Sequence, residues 1–236
     1  NTILDLEGKI ARLSQGEPLP YILGWWEFFG FKFRVSPAVL IPRPETELLV
    51  ETALAWLDEH PQVREAWDVG TGSGCIALAL VSQIYDLVVH GVDISQSALA
   101  IAGENVISNH FSNQVKLHQS DLLSDINVDS IQLLCANLPY IPSKDVPTLD
   151  VARYEPSLAL DGGSDGLKYI EQLLNQVKNK VVTPYMLLLE IEYRQAENVK
   201  ILVEQIFPGA SINILFDLAG KSRVISIEGY HDHQGL

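Results

Sequence analysis

Hydrophobic and polar positions alternate in blocks along most of the chain. From residue 66 onwards, short apolar runs of strand length are separated by segments with apolar residues at helical spacing. The strand-like runs are AWDVG, LVVHGVDI, VKLHQSDL, IQLLCANL, YMLLLEIE and the two halves of SINILFDLAGKSRVISIEG. The pattern predicts a doubly wound α/β fold: a mostly parallel seven-stranded sheet, covered on both faces, with an antiparallel strand at one edge.

The N-terminal part follows a different pattern. Residues 1–24 contain a short helical segment, and the next residues alternate apolar and polar positions, which predicts a β-hairpin over residues 25–40 with a turn at or before Gly30. The apolar positions that alternate are Phe29, Phe31, Phe33 and Val35. The segment LIPRPETELLVE predicts a strand end, a proline-bounded turn and a helix with Pro44 at its first position.

Charge and composition narrow the class of partner. The chain of 236 residues is 47% hydrophobic and carries 16 Lys+Arg against 30 Asp+Glu, a net charge of −14. Such a surface repels polyanions, so nucleic acid is a disfavoured partner. No secretory segment or long apolar run is present, which predicts no membrane interaction and a cytoplasmic protein. We expect no metal, and interpret His231–His233 as a polar tail.

The segment DVGTGSG joins the first strand of the alternating region to its helix. Glycines at alternate positions allow a tight turn and a close approach of the backbone to a ligand. The spacing differs from the dinucleotide-binding pattern and from a P-loop, and a glycine-rich turn alone is weak evidence. The predicted cofactor loop comprises Gly70, Thr71, Gly72, Ser73 and Gly74.

Two acidic residues follow the next two strands. Asp93 ends the second strand, about 20 residues after the loop, as expected for a carboxylate that binds ribose hydroxyls. Asp121 ends the third strand and is followed by Leu122, which suits a nucleoside base. Each acid could instead be a helix N-cap. The set resembles the class I S-adenosylmethionine-dependent methyltransferases. A nicotinamide enzyme is the competing interpretation, against which the loop spacing argues.

The fourth strand ends in Asn137, Leu138, Pro139 and Tyr140, which we predict to be catalytic and substrate-binding. The lone pair of a planar amine or amide nitrogen in a substrate is delocalised. Two hydrogen-bond acceptors of the enzyme that bind its two N–H groups would hold this nitrogen in line for methyl transfer. The Asn137 side chain and the Leu138 carbonyl can supply them. Pro139 stiffens the turn, and Tyr140 can stack on a planar group. The tetrapeptide resembles the [Asn/Asp]-Pro-Pro-Tyr motif of methyltransferases that act on such nitrogens. An ordinary strand-to-loop turn is the alternative.

Longer segments resemble one family, the release-factor glutamine methyltransferases (HemK/PrmC family). They are GWWEFFGFKFRVSPAVLIPRPETELLVE, DVGTGSGCIALAL, EPSLALDGGSDGL and DLAGKSRVISIE. The resemblance implies a Rossmann-like fold and methyl transfer from S-adenosylmethionine, leaving S-adenosylhomocysteine. It implies as substrate the side-chain amide nitrogen of the Gly-Gly-Gln glutamine in class I peptide chain release factors, proteins of translation termination. It also implies that Asn137 contacts the cofactor and that Arg43 and Glu45 lie against the substrate pocket, unless they only begin a helix.

Three features depart from the family pattern. Leu138 replaces the usual proline, giving a form also found in ribosomal-RNA adenine dimethyltransferases, so an N6-adenine methyltransferase acting on rRNA or DNA is an alternative. Glu192 occupies a position where the family commonly has glycine. We expect residues 1–24 to be a remnant or linker of an N-terminal helical substrate-recognition domain, residues 25–40 the hairpin, and residues 41–236 the methyltransferase domain. A cofactor-binding module that is inactive without its N-terminal domain is the second alternative.

Overall fold

The computed structural model describes residues 2–229 and contains nine strands and seven α-helices in that range. The strands are β1 (Trp25–Phe28), β2 (Phe31–Arg34), β3 (Glu65–Val69), β4 (Val88–Asp93), β5 (Val115–Gln119), β6 (Ile131–Ala136), β7 (Val181–Glu190), β8 (Ser211–Phe216) and β9 (Ser222–Gly229). The helices are α1 (Thr2–Ser14), α2 (Leu19–Leu23), α3 (Glu47–Glu59), α4 (Cys75–Gln83), α5 (Gln96–Ser108), α6 (Lys168–Val177) and α7 (Ala196–Ile206). The predicted polar tail, His231–His233, lies outside the described residues.

Seven strands form one sheet in the order β5-β4-β3-β6-β7-β9-β8. The strands from β3 to β7 are parallel, and β9 is antiparallel to both β7 and β8. The prediction of a mostly parallel seven-stranded sheet with an antiparallel arrangement at one edge is confirmed. The parallel order brings the carboxyl ends of β3, β4, β5 and β6 to one side of the sheet, where ligands bind in open α/β folds.

The hydrophobic core lies on both faces of this sheet. One face packs against α3, α4 and α5, and the other against α6 and α7. Helix α3 buries one face against the sheet, on which Leu49, Ala53 and Leu57 lie. Strand β6 is apolar throughout its last four residues because both of its faces are covered. Within residues 2–229, none of the helices is long and apolar enough to cross a membrane.

The hairpin differs from the prediction in one detail. β1 and β2 pair around a turn made by Phe29 and Gly30, whose φ angles are 49° and 75°. A two-residue turn with positive φ at both positions matches the twist of a hairpin. Phe29 therefore lies in the turn and is half-buried, whereas Phe28 is the buried residue of β1. The prediction that Phe29 shares the strand face of Phe33 was wrong.

The segment before α3 contains no strand. Residues 40–43 are irregular, and Pro44–Thr46 form a 3₁₀ turn that runs directly into α3. Pro42 and Pro44 lack the N–H groups that a strand ladder needs, which explains why the predicted strand end does not form. The predicted position of Pro44 at the first helical residue is confirmed.

Candidate active site

A cavity of about 360 Å³ lies at the carboxyl ends of the parallel strands. Its walls come from the glycine loop and the start of α4, the end of β4 and the start of α5, residues 120–122, and the segment after β6. Further wall residues come from positions 37–46 and 156–159, and from Tyr169. The predicted site residues that line it are Arg43, Gly70, Thr71, Gly72, Ser73, Asp93, Asp121, Leu122, Asn137, Leu138 and Pro139. The cavity lining does not include Gly74, Glu45 or Tyr140.

The glycine loop adopts a conformation that other residues rarely reach. Gly70, Gly72 and Gly74 have φ angles of 77°, 55° and 81°. A Cβ atom on Gly70 would lie 3.0 Å from a methyl group of Leu138, so the missing side chain lets the tetrapeptide pack directly on the loop. The backbone N–H groups of Gly70 and Thr71 both donate to the Val92 carbonyl, which ties the loop to β4.

Asp93 connects the glycine loop to the start of α5. One carboxylate oxygen accepts a hydrogen bond from the Gly72 N–H at 2.9 Å, and the other accepts one from the Ser95 N–H at 2.9 Å. The N-cap of α5 is Ser95, whose hydroxyl accepts from the Ala98 N–H. Burial raises the pKa of Asp93, although its N–H donors oppose the shift. The acid thus lies at the cavity wall and is not the helix cap.

Asp121 and Leu122 lie in a turn after β5. Asp121 is exposed, and its N–H donates to Asp125 at 3.2 Å. No α-helix begins here, so the N-cap alternative for Asp121 is not observed. Leu122 is buried and has a φ angle of 52°, which is uncommon for a side chain of this size. Strain of this kind is often found at ligand sites, and Leu122 supplies an apolar part of the cavity wall.

The tetrapeptide begins at the residue after β6. Asn137 lines the cavity, and Leu138 is buried against the glycine loop. Within residues 2–229, no backbone hydrogen bond occupies the Leu138 carbonyl, so this acceptor is available to a ligand. Leucine at this position therefore keeps the carbonyl that the predicted chemistry requires, and its side chain is part of the packing.

The segment LDGGSDGL, residues 160–167, packs against the backbone of the tetrapeptide, and we call this segment the glycine clamp. A Cβ atom on Gly162 would lie 2.6 Å from the Pro139 carbonyl, and one on Gly166 would collide with the Tyr140 carbonyl. The Gln195 side chain donates to that same Tyr140 carbonyl at 2.8 Å. Burial and the nearby Glu190 raise the pKa of Tyr140, which keeps the phenol neutral.

Two residues beside Asn137 were not predicted from the sequence. The Asn137 side-chain nitrogen donates to the Thr46 hydroxyl at 3.1 Å, and this hydroxyl donates to the Glu190 carboxylate at 2.7 Å. Thr46 and Glu190 are each 2% exposed. Burial raises the pKa of Glu190 to about 7, and the hydrogen bond from Thr46 opposes the shift. The sequence contained one signal for Glu190: it is an acidic residue at the end of the apolar run YMLLLE, and the end of this strand lies at the ligand-binding edge of the sheet.

Asp68 is a third missed residue. It is fully buried at the end of β3, and one carboxylate oxygen accepts hydrogen bonds from Thr71 at 2.6 Å and the Ala77 N–H at 3.1 Å. Its other carboxylate oxygen has no partner within the described residues. Burial raises the pKa of Asp68 to about 7. Asp68 holds the glycine loop through Thr71 and is not itself part of the cavity lining.

Arg43 and Glu45 have structural partners. The Arg43 guanidinium contacts both carboxylate oxygens of the buried Glu155, at 2.7 and 2.6 Å, and so ties the segment before α3 to the chain before the glycine clamp. Glu45 lies 4.0 Å from Arg223. Glu192 caps the 3₁₀ turn before α7 and pairs with Arg194, so this departure from the family pattern does not alter the cavity wall.

The residues of the cavity suit a nucleoside-containing ligand. The cavity combines a glycine loop, the acid Asp93 on its wall, and the apolar residue Leu122 next to the acid Asp121. Its volume lies in the range of small-molecule sites. Among residues 2–229, no group of three His, Cys, Asp or Glu side chains is arranged to hold a metal ion.

Comparisons with known proteins identify the family. A family model described as "Methyltransferase small domain" matches residues 44–153. The release factor glutamine methyltransferase of Lactococcus lactis subsp. lactis (strain IL1403) is 38% identical over 219 residues, which cover 92% of this chain and 79% of that protein. The protein of the same name from Moorella thermoacetica (strain ATCC 39073 / JCM 9320) is 40% identical over 215 residues, covering 91% and 76%.

Solved structures show the same fold. The catalytic domain of hMettl16, in complex with the MAT2A 3'UTR hairpin 6, superposes with a TM-score of 0.68 over 86% of this chain and 77% of that one, at 16% identity. The ribosomal protein L11 methylase of Lactobacillus delbrueckii subsp. bulgaricus has a TM-score of 0.56 at 20% identity, with 80% and 81% covered. These similarities support the fold alone. The sequence relatives support more: this chain belongs to the release factor glutamine methyltransferase family.

Proposed function

We propose that this chain transfers a methyl group from S-adenosylmethionine to the side-chain amide nitrogen of the Gly-Gly-Gln glutamine in class I peptide chain release factors. Membership of the family supports this reaction. The observation that carries it is the position of Asn137 and Leu138, which lie at the end of β6 on the same cavity as the glycine loop. Because release factors act in translation, this substrate implies a cytoplasmic reaction.

The proposed cofactor site uses residues of the cavity wall. S-adenosylmethionine, when bound, supplies a methyl group on a positively charged sulfur. We assign Asp93 to the ribose hydroxyls, and Asp121 with Leu122 to the base. The glycine loop, residues 70–74, accepts the amino-acid end, with Asp68 beneath it.

The proposed substrate site uses the tetrapeptide. The side-chain oxygen of Asn137 and the carbonyl of Leu138 each accept a hydrogen bond from the glutamine N–H groups, which orients the nitrogen and lowers the delocalisation of its lone pair. We assign Pro139 to the wall of this pocket and Tyr140, which lies outside the cavity lining, to its support, and the glycine clamp packs against both. We assign Arg43 and Glu45 to supporting the pocket, since each has a protein partner.

The test is methyl transfer to the release factor encoded by the same genome. We would incubate the protein with methyl-labelled S-adenosylmethionine and that release factor, locate the label by mass spectrometry, and use a Gln→Ala variant of the Gly-Gly-Gln motif as the negative substrate. Ribosomal RNA serves as the parallel substrate. Label on the glutamine supports the proposal, whereas label on RNA alone would contradict it.

Asn137→Ala tests the role of the tetrapeptide. Removing one of two acceptors at the reacting nitrogen should lower kcat by about 100- to 1000-fold. Asn175→Ala is the matched control, because Asn175 is exposed on α6 and donates only to the Glu171 carbonyl of its own helix. Full activity of Asn137→Ala would refute the assignment. No label on the glutamine from the wild-type protein, with S-adenosylmethionine still bound, would reject the proposed function and favour the alternative of an inactive cofactor-binding module.

A further inference from the structure

Two buried polar side chains, Thr46 and Glu190, form one hydrogen-bonded row with the half-buried Asn137. Asn137 follows β6, Thr46 ends the 3₁₀ turn before α3, and Glu190 ends β7. The nitrogen of Asn137 lies 3.1 Å from the Thr46 hydroxyl, which lies 2.7 Å from Glu190. No step of the proposed reaction has yet used Thr46 or Glu190. Burying an acid at this point has a cost in stability, so its presence needs an explanation.

The row has a direction that follows from donor and acceptor chemistry. An ionised carboxylate only accepts hydrogen bonds, so Thr46 must donate its single hydroxyl proton to Glu190. The hydroxyl then presents only lone pairs to Asn137, and the side-chain amide can meet them only with its NH₂ group. The nearby Asn137 amide also lowers the pKa of Glu190, which agrees with an NH₂ group on that side of Asn137. The side-chain oxygen of Asn137 is therefore left for the cavity.

We propose that Thr46 and Glu190 are positioning residues that hold the Asn137 side chain with its oxygen towards the substrate nitrogen. The inference rests on the proposed function, in which that oxygen accepts an N–H of the substrate glutamine. A reversed amide would place NH₂ against the NH₂ of the substrate, two donors facing each other, and the reacting nitrogen would lose one of its two acceptors. Neither residue needs to touch the substrate for this role.

If Glu190 were protonated, the order of donors and acceptors along the row would no longer be fixed. A neutral carboxyl group can itself donate to Thr46, and the Thr46 hydroxyl is then free to donate to Asn137. The charged and titratable groups that face Glu190 are Glu45 from the 3₁₀ turn, Arg223 from β9, Tyr140 from the tetrapeptide and Cys75 from α4. Glu45 favours the protonated form and Arg223 the ionised form, and the pKa of Glu190 is raised to about 7.

Variants at Thr46 separate positioning from packing. Thr46→Val removes the hydroxyl at nearly constant volume and should lower kcat by about 10- to 100-fold, with the KM for S-adenosylmethionine unchanged. Thr46→Ser retains the hydroxyl and should stay within about threefold of wild type. Thr52→Val is the control, because Thr52 is half-buried on α3 and its hydroxyl donates to the Leu48 carbonyl of the same helix. Wild-type kcat in Thr46→Val would overturn the proposal.

The pH profile tests Glu190. In the wild-type protein kcat should rise as the pH passes about 7, where Glu190 ionises. Asp68 ionises in the same range and contributes in every variant, so the informative quantity is the difference between profiles. Glu190→Gln has no group to titrate here, and its profile should lose part of this rise. Superimposable wild-type and Glu190→Gln profiles would overturn the role of Glu190.

A spectroscopic measurement makes the inference independent of turnover. The side-chain NH₂ signals of Asn137 in a ¹H–¹⁵N NMR spectrum can be assigned by their loss in Asn137→Ala. We expect slow hydrogen exchange of this NH₂ in wild type, Thr46→Ser and Thr52→Val, and exchange at least about tenfold faster in Thr46→Val. Unchanged exchange in Thr46→Val would overturn the positioning role. Protected NH₂ signals in a protein that does not methylate the release factor would reject the proposed function and leave the orientation of Asn137 established.

Discussion

At the scale of single residues, Asp93 has two roles, one in the structure of the glycine loop and one in the proposed binding of the ribose. Its carboxylate already accepts the N–H groups of Gly72 and Ser95, so it holds the glycine loop against α5 in the protein alone. A carboxylate has about four acceptor positions, which leaves capacity for ribose hydroxyls at the cavity wall. Loop order and cofactor binding therefore depend on the same side chain, and a substitution affects both.

Asp93→Asn should weaken cofactor binding. The amide is neutral and replaces one acceptor by a donor, which then faces either a backbone N–H or the ribose. Loss of charge-assisted hydrogen bonds should raise the dissociation constant of S-adenosylmethionine by about 10- to 100-fold. Isothermal titration calorimetry measures this change, with Asp129→Asn, an exposed acid after β5, as the control. An unchanged dissociation constant in Asp93→Asn would contradict the ribose role.

At the scale of elements, the glycine clamp sets the position of the tetrapeptide. The Ile141 N–H donates to the Leu160 carbonyl at 3.0 Å, and the Gly162 N–H donates to the Ile141 carbonyl at 2.8 Å. The close approach is possible because Gly162 and Gly166 have no side chains. The two acceptors proposed for the substrate therefore depend on a loop that supplies no group to the reaction.

Gly166→Ala should impair activity through this contact. Gly166 has a φ angle of 80° and would press a Cβ atom on the Tyr140 carbonyl. Gly209 is the matched control, because its φ angle is 89° and no heavy atom lies within 4 Å of a Cβ atom built there. Backbone strain should cost about 1–2 kcal/mol of unfolding free energy at either site, and the collision with the Tyr140 carbonyl adds to the cost at Gly166.

Only Gly166→Ala should also move the tetrapeptide and lower kcat, by at least about tenfold. Urea denaturation and steady-state kinetics on both variants separate the two effects. Equal kcat values for Gly166→Ala and Gly209→Ala would show that the clamp does not position the tetrapeptide.

What the sequence could predict also differs by element. Strand ends were predictable because apolar runs stop at polar residues, and parallel order then brings Asp93, Asp121 and Asn137 to one edge. The row of Asn137, Thr46 and Glu190 could not be predicted, because its two hydrogen bonds join residues that are 91 and 144 positions apart in the sequence. No periodic pattern reports contacts at such separations. Phe29 was misplaced because alternation predicts a strand but not the turn that interrupts it.

At the scale of the whole molecule, buried acids link stability to activity. The chain has a net charge of −14, yet Asp68 and Glu190 are fully buried carboxyl groups whose pKa values are raised to about 7. Such a group binds its proton in the folded state at pH values where the unfolded chain has released it. Its contribution to stability is therefore complete below its ordinary pKa and is lost as the pH rises towards 7. The proposed positioning role needs the ionised form, so the protein should become more active as it becomes less stable.

Glu190→Gln should remove the part of this trade-off that comes from Glu190. His90 and His118, whose pKa values are lowered by burial, oppose the trend below about pH 6.5, and self-repulsion of the acidic surface adds to it. Both effects cancel when the variant is compared with wild type at each pH. The unfolding free energy of Glu190→Gln minus that of wild type should increase by about 2–4 kcal/mol between pH 4.5 and 8, because only the wild-type protein must ionise Glu190, whereas Asp68 ionises in both. Urea denaturation at half-unit pH intervals, without S-adenosylmethionine, measures the difference. Parallel stability curves would mean that Glu190 titrates normally, and that the cost of burying it is met by Thr46, Asn137 and Arg223 at every pH.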